Sequence, residues 1–375
     1  MTGNRSTPGE GQLGFDIDLP EVASRRERVV PGPRQARPVT AEGIARALGR
    51  PLPTPEQIAV IEAPLEPLLV IAGAGSGKTE TMAARVVWLV ANGHVEPDQV
   101  LGLTFTRKAA GELSERIRAR LRALYRRGLI AEPRPVSVST YHSYAASVLG
   151  DHALRLGIEP GVRLLGEAGG WQLVDELVER WDGDMTGVEA ARATVVDAVL
   201  GLAGECAEHL LDPQRIDQVA EDVLERIAGL PKNHGDAVPG KPKADVKALA
   251  QRMQARRRLI PLVQAYQRRK REQEVLDFGD QVALAAQVAQ EVPEVGAGER
   301  ERYRVVLLDE YQDTSHAQVV LLRSLFGAGH PVVAVGDPHQ SIYAWRGASA
   351  GNLQRFGRVF PRLDGSPAET RYLST

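Results

Sequence analysis

The stretch AGAGSGKTET, Ala72 to Thr81, follows an apolar run, LLVI at Leu68 to Ile71, and precedes an Ala-rich helical pattern. A short buried strand that passes through a glycine-rich turn into a helix forms a cradle for phosphate. The pattern AxxxxGKT, Ala72 to Thr79, departs from the strict P-loop only in carrying Ala72 where a glycine is usual. Gly73, Gly75 and Gly77 let backbone N–H groups turn inward, and the helix N-terminus adds partial positive charge. Ala72, Gly73, Ala74, Gly75, Ser76, Gly77, Lys78, Thr79 and Glu80 are therefore the expected nucleotide-binding segment. In it Lys78 would reach the β- and γ-phosphates, and the Thr79 hydroxyl would ligate Mg²⁺. A chance lysine after a Gly-rich turn would not come with both the strand and the helix.

Such a loop needs an acidic partner on a neighbouring strand, and VVLLDEYQDTS at Val305 to Ser315 supplies one. Asp309 sits where the strand leaves the sheet and is placed to hold Mg²⁺, and Glu310 to polarise a water against the γ-phosphate. Adjacent carboxylates at a strand end are costly without a cation, which favours a catalytic role. ATP and Mg²⁺ are the cofactors this implies. Lys78 and Glu310 must meet although 232 positions separate them, so most of the intervening chain must loop out.

The pattern on either side agrees. Strands are expected at Leu68–Ala72, Val100–Phe105, Val136–Ser139, Tyr303–Leu308 and Pro331–Val335, and helices at 79–91 and from Lys108 to about Arg127. Alternation of this kind predicts an α/β fold, a parallel sheet with helices on both faces. From about Ala145 to Glu274 strand signals vanish and amphipathic helices take over, as in WQLVDELVERW, where Trp171, Leu173, Val174, Leu177, Val178 and Trp181 form one apolar stripe. The expected organisation is a disordered tail over 1–39, a first α/β segment over 40–144, an inserted all-helical domain over 145–274 and a second α/β segment over 275–375. Thr40 and Gly49 read as the caps of the first helix, and Pro231 to Asp245 as a loop.

No apolar run approaches bilayer length and the polar opening MTGNRSTPGEG has no signal character, so a cytoplasmic protein is expected, with no membrane partner. The single cysteine, Cys206, excludes an internal disulfide and a cysteine-cluster metal site, and reads as a small buried residue. Net charge is only −2, but nine Lys or Arg and no acid lie between Lys247 and Arg271, and eight basic residues lie between Arg107 and Arg127. On charge alone each run fits a solvated helix face as well as a polyanion contact.

Five segments in order, TFTRKAAGEL at Thr104–Leu113, TYHS at Thr140–Ser143, LDFGDQ at Leu276–Gln281, DEYQDTS at Asp309–Ser315 and VGDPHQSIYAWRGA at Val335–Ala348, resemble the motifs of UvrD/Rep-like superfamily 1A helicases. The resemblance covers about residue 50 onward; ETMAARVVWLVANG and TFTRKAAGEL also resemble motor subunits of actinobacterial helicase-nucleases. It implies a RecA-like P-loop NTPase sheet, domain 1A, with the helical insertion as domain 1B. It implies ATP-dependent 3′–5′ movement on single-stranded DNA, with duplex junctions as substrates, in repair or recombination. By the same resemblance Gln57 of PTPEQ recognises adenine, Gln340 senses the γ-phosphate, and Arg346 lies near the nucleotide. Phe105, Tyr343 and Trp345 would face single-stranded DNA, where stacking grips any base, and Thr106 and His142 would approach its backbone.

Two positions depart from the family pattern. Ala344 stands where an Arg is common, and Gly279 where an Asp is common, which leaves Asp277 and Asp280 without an assigned role. The chain ends at RYLST, where the resemblance opens the next motif, so the expectation is an amino-terminal half without the second RecA-like domain 2A and its arginine finger. An arginine finger is worth about 10³ to 10⁵ in rate. Weak binding, poor hydrolysis and no unwinding by the chain alone are then expected, with domain 2A or a second helicase-nuclease subunit as partner. A split regulatory module that docks on such a partner is the alternative. An ABC-type NTPase would carry an LSGGQ, which the chain lacks.

Overall fold

In a computed structural model, residues 38–159, 161–230, 243–327, 329–341 and 351–374 are described. Six strands make one parallel sheet: β1 Leu68–Ala72, β2 Val100–Thr104, β3 Ser137–Thr140, β6 Val305–Leu308, β7 Val332–Gly336 and β8 Glu369–Leu373, in the order β3-β2-β6-β7-β1-β8. Two further short strands, β4 Arg163–Leu164 and β5 Val275–Leu276, form a separate parallel ladder. The central strands read as continuous apolar runs because both their faces are covered. On β6, Val305 and Leu307 pack against one helical layer and Val306 and Leu308 against the other, and all four are fully buried.

The first layer contains the helices Lys78–Ala91 and Arg107–Arg126. In the latter Leu113, Ile117, Leu121 and Leu124 recur at helical spacing and are buried. The second layer contains the helices Tyr141–His152, Phe278–Glu291, His316–Phe326 and Gly351–Val359. A short helix, Ala41–Leu48, opens the order, with Thr40 accepting from the Gly43 N–H and Gly49 ending it at φ 65°. Both caps stand where the sequence puts them.

The helices Glu167–Glu179, Arg192–His209, Pro213–Ala228 and Ala244–Glu272 follow without interruption by the main sheet. They have a core of their own, in which Val174, Val196, Val199, Leu262 and Val263 are fully buried. Trp171 differs from its expected place in the apolar stripe. It is 38% exposed, and its indole N–H donates to Asp197 at 3.2 Å, because the stripe narrows to Leu173, Val174, Leu177, Val178 and Trp181. The β4–β5 ladder lies within or beside the stretch read as strand-free, and it brings together the points where the helical segment leaves and returns. That closeness lets a long insertion interrupt the sheet without separating its two halves.

One buried charge cluster ties the segment down. Lys270, in the last turn of Ala244–Glu272, places Nζ 2.5 Å from Asp277 Oδ2 and 2.6 Å from Asp280 Oδ2. The two aspartates also form a capping box, each accepting the other's backbone N–H at the start of Phe278–Glu291. Burial alone would push Asp277 up. The Lys270 charge, with bonds from Lys270, the Asp280 N–H and the Tyr266 hydroxyl, holds its carboxyl below the ordinary value. A Cβ at Gly279 would sit 3.0 Å from Ala207 Cβ, so the departure at this position accommodates the close helix Arg192–His209.

Candidate functional site

Because all six strands are parallel, their carboxyl ends lie along one edge of the sheet, and the loops that leave them share a face. The P-loop follows β1, Phe105 follows β2, His142 follows β3, Asp309 and Glu310 follow β6, and Asp337 to Gln340 follow β7.

After Ala72, the last residue of β1, the loop turns through Gly75 at φ 79° and Gly77 at φ 80°, conformations that favour glycine. Ser76 folds its hydroxyl onto the Gly73 carbonyl at 2.8 Å, leaving Ala74 and Gly75 at the exposed crest. A Cβ on Gly73 or Gly75 would meet nothing within 4 Å, so the space over the loop is open. Lys78 begins the next helix, and Thr79 follows it in the first turn, half-buried. Lys78 Nζ lies 3.4 Å from Glu310 Oε2, which closes the 232-residue separation.

Asp309 is buried, donates its N–H to Leu103 O at 2.9 Å, and has its carbonyl held by the Tyr141 hydroxyl at 2.9 Å. Burial first, and then the charge of Glu310, push its carboxyl up to about 6. Glu310 adopts φ 49°, ψ 43°, a left-handed conformation that a side-chain-bearing residue holds at a cost of order 1–3 kcal/mol. Among the described residues no group of three His, Cys, Asp or Glu could hold a metal ion. A buried carboxylate short of positive charge beside an open phosphate cradle fits Mg²⁺, which binds through one or two protein groups, phosphate oxygens and water. Asp309 and Thr79 are the residues that would hold it.

The other residues singled out by sequence fall on two sides of this centre. Gln57 packs under the P-loop: its Nε2 donates to Ser76 O at 3.2 Å and its Oε1 accepts the Thr54 N–H at 3.0 Å. A Cβ on Gly77 would lie 2.9 Å from that Nε2, so the glycine also permits this approach. Glu80 turns to a set of arginines, 2.5 Å from Arg120, 3.3 Å from Arg116 and 3.9 Å from Arg50. Gln340 donates to Asp337 Oδ2 at 2.5 Å. Tyr343, Trp345 and Arg346, with Ala344 beside them, lie outside the described residues.

On the other side Phe105 and His142 line a cleft of about 570 Å³, together with Arg107, Phe278, Asp313 and Ser315. The His142 ring stands edge-on to Phe278 with centroids 6.3 Å apart. Phe105 is half-buried against the core. Thr106 is exposed, and its hydroxyl caps the helix Arg107–Arg126 by accepting the Ala109 N–H at 3.1 Å. Sequence reasoning passed over Phe278, 44% exposed in the first turn of its helix. Its signal was a bulky aromatic directly after an Asp N-cap, within a motif already in view. It also passed over Gln312 and Tyr141, whose contacts depend on distant segments.

The sequence model of the UvrD/REP helicase N-terminal domain matches residues 53–361. The chain belongs to that family. Among its UvrD/REP relatives, the ATP-dependent DNA helicase UvrD1 of Mycobacterium tuberculosis is 33% identical over 321 residues, 82% of this chain and 36% of the relative. The ATP-dependent DNA helicase PcrA of Bacillus subtilis is 28% identical, again over 82% of this chain and 36% of the relative. PcrA of Staphylococcus aureus is 28% identical over 85% of this chain and 38% of the relative. The chain thus spans little more than a third of the length of these UvrD/REP proteins.

Proposed function

We propose that this chain is the ATP- and single-stranded-DNA-binding part of a 3′–5′ DNA helicase or translocase that acts in repair or recombination. The observation that carries the reading is Lys78 Nζ at 3.4 Å from Glu310, on the sheet edge that also bears the Phe105–His142 cleft. ATP would lie over Gly73–Gly77 with its phosphates on the backbone N–H groups and Lys78. Asp309 and Thr79 would hold Mg²⁺, which would supply positive charge to the phosphates. Glu310 would orient and deprotonate the attacking water, and Gln340 would sense the γ-phosphate. Phe105 and His142 would receive bases and backbone in the cleft, with Tyr343 and Trp345 completing the track and Arg346 approaching the nucleotide. Residues 40–144 and 275–375 would form domain 1A, and 145–274 domain 1B.

In this reading stroke and release come from closure against a second RecA-like domain, in the same polypeptide or on a partner subunit. The names of the relatives support an ATP-dependent DNA helicase, and the 3′–5′ sense rests on the family resemblance. The test is ATP turnover and Mg·AMP-PNP binding by the purified chain, with and without oligothymidylate, beside Glu310→Gln. Mg²⁺-dependent nucleotide binding kept by Glu310→Gln, with any turnover lost, is expected. Absence of nucleotide binding, or turnover unchanged in Glu310→Gln, would refute the assignment.

A further inference from the structure

The catalytic edge and the cleft are joined through one buried side chain. Gln312 is 1% exposed and bonds three residues at once, two in its own turn and one on the loop after β7. Its Nε2 donates to Glu310 Oε2 at 2.8 Å and to Asp313 Oδ2 at 3.2 Å, and its Oε1 accepts the Asp337 N–H at 3.1 Å. These partners fix the amide orientation, since the reverse would set a carbonyl oxygen against two carboxylates and leave an N–H facing an N–H. Gly336 makes room for it: a Cβ there would lie 2.6 Å from Gln312 Oε1.

Each arm continues outward. Asp313 lines the cleft and accepts the Ser341 hydroxyl at 3.3 Å. Asp337 accepts from the His339 N–H at 2.9 Å and from Gln340 Nε2. From the geometry we infer that Gln312 is a positioning residue that couples nucleotide at Lys78–Glu310 to single-stranded nucleic acid in the Phe105–His142 cleft. A carboxylate that turns toward nucleotide withdraws from the Gln312 amide. The amide then has only Asp313 and the Asp337 N–H to satisfy it, and both belong to segments that shape the cleft and carry Gln340. A buried amide with a fixed set of partners changes them in discrete steps, the condition for two distant sites to share one equilibrium.

This inference rests on the proposed function, and the experiment separates the two. The affinity of Mg·AMP-PNP is measured with and without saturating oligothymidylate, in the wild type, Gln312→Met and Ser341→Ala. The ratio of the two affinities is the readout, because a purely structural role lowers both and leaves their ratio alone. Coupling between sites is typically about 5- to 150-fold. The expected result is a wild-type ratio in that range, reduced to near one in Gln312→Met and partly reduced in Ser341→Ala. If Gln312→Met does not fold, Ser341→Ala, altered at the outer end of one arm, must still lower the ratio. Ratios equal to the wild type in the folded variants, or a wild type that binds both ligands without coupling, would overturn the inference and leave the proposed function standing. Binding of neither ligand by the wild type would overturn both.

Discussion

Two places in this molecule hold a lysine and two carboxylates, and they are built oppositely. At the β4–β5 junction Lys270 is 2.5 and 2.6 Å from Asp277 and Asp280, and each aspartate also accepts the other's backbone N–H. At the end of β6 Lys78 reaches Glu310 alone, at 3.4 Å, and Asp309 keeps a carboxyl pushed up to about 6. The first set is closed in its bonding: one lysine holds both carboxylates, and burial with the neighbouring Asp277 charge still pushes the Asp280 carboxyl up. The second is open: its lysine bonds Glu310 alone, and Asp309 lies beside the phosphate loop with no lysine bonded to it among the described residues. An acid pair becomes a candidate site through incomplete compensation rather than through composition.

The largest effect separating the two should come from breaking the closed set. Lys270→Met leaves two carboxylates without their cation, and removal of one partner from a buried pair costs about 3–5 kcal/mol. A large fall in Tm is expected, with nucleotide affinity little changed at a temperature where the variant is folded. Lys78→Met should do the reverse. Its partner is 35% exposed, so stability should shift by less than about 1 kcal/mol. Nucleotide affinity should fall roughly 10- to 100-fold, the value of a charge-assisted contact, as isothermal titration would read. Equal losses of stability in the two variants would erase the contrast.

A smaller effect is expected at Asp309, with the unusual sign. Its carboxyl is raised from 3.8 to about 6, so Asp309→Asn should stabilise the nucleotide-free protein by about 1–3 kcal/mol above neutral pH while abolishing Mg²⁺-dependent nucleotide binding. The pH dependence follows from the same shift. Between pH 3.8 and 6 the folded state holds a proton that the unfolded state has released, so the contribution of this group is fully present at the acid end and is lost as pH rises through about 6. Denaturant melts at a series of pH values, wild type against Asp309→Asn, should show the difference between the two growing over that interval and flat above it. Added Mg²⁺ should shrink the difference at alkaline pH.

The open set was more legible in the sequence than the closed one. Lys78, Asp309 and Glu310 each lie in a local pattern, strand then loop, that states its own geometry, and the parallel sheet followed from the alternation around them. Strand ends moved by one or two residues, as at Ser137–Thr140 and Val332–Gly336, because the pattern marks apolar runs and not ladder ends. β8 escaped notice because it is an edge strand whose Glu369, Arg371 and Tyr372 leave no apolar run. Lys270, Gln312 and Phe278 take their roles from partners on other segments. Gln312 owes its place to Asp337, 25 residues away, and nothing in a string of residues announces such a meeting.

Isothermal titration of Mg·AMP-PNP into the wild type, Asp309→Asn and Asp280→Asn, at a temperature where all three are folded, tests the contrast most directly. If the β6 edge is the nucleotide–metal site and the Lys270 cluster only an anchor, binding is lost in Asp309→Asn and retained in Asp280→Asn within a few-fold of the wild type. Equal affinity in Asp309→Asn and the wild type, or loss in Asp280→Asn alone, would contradict it.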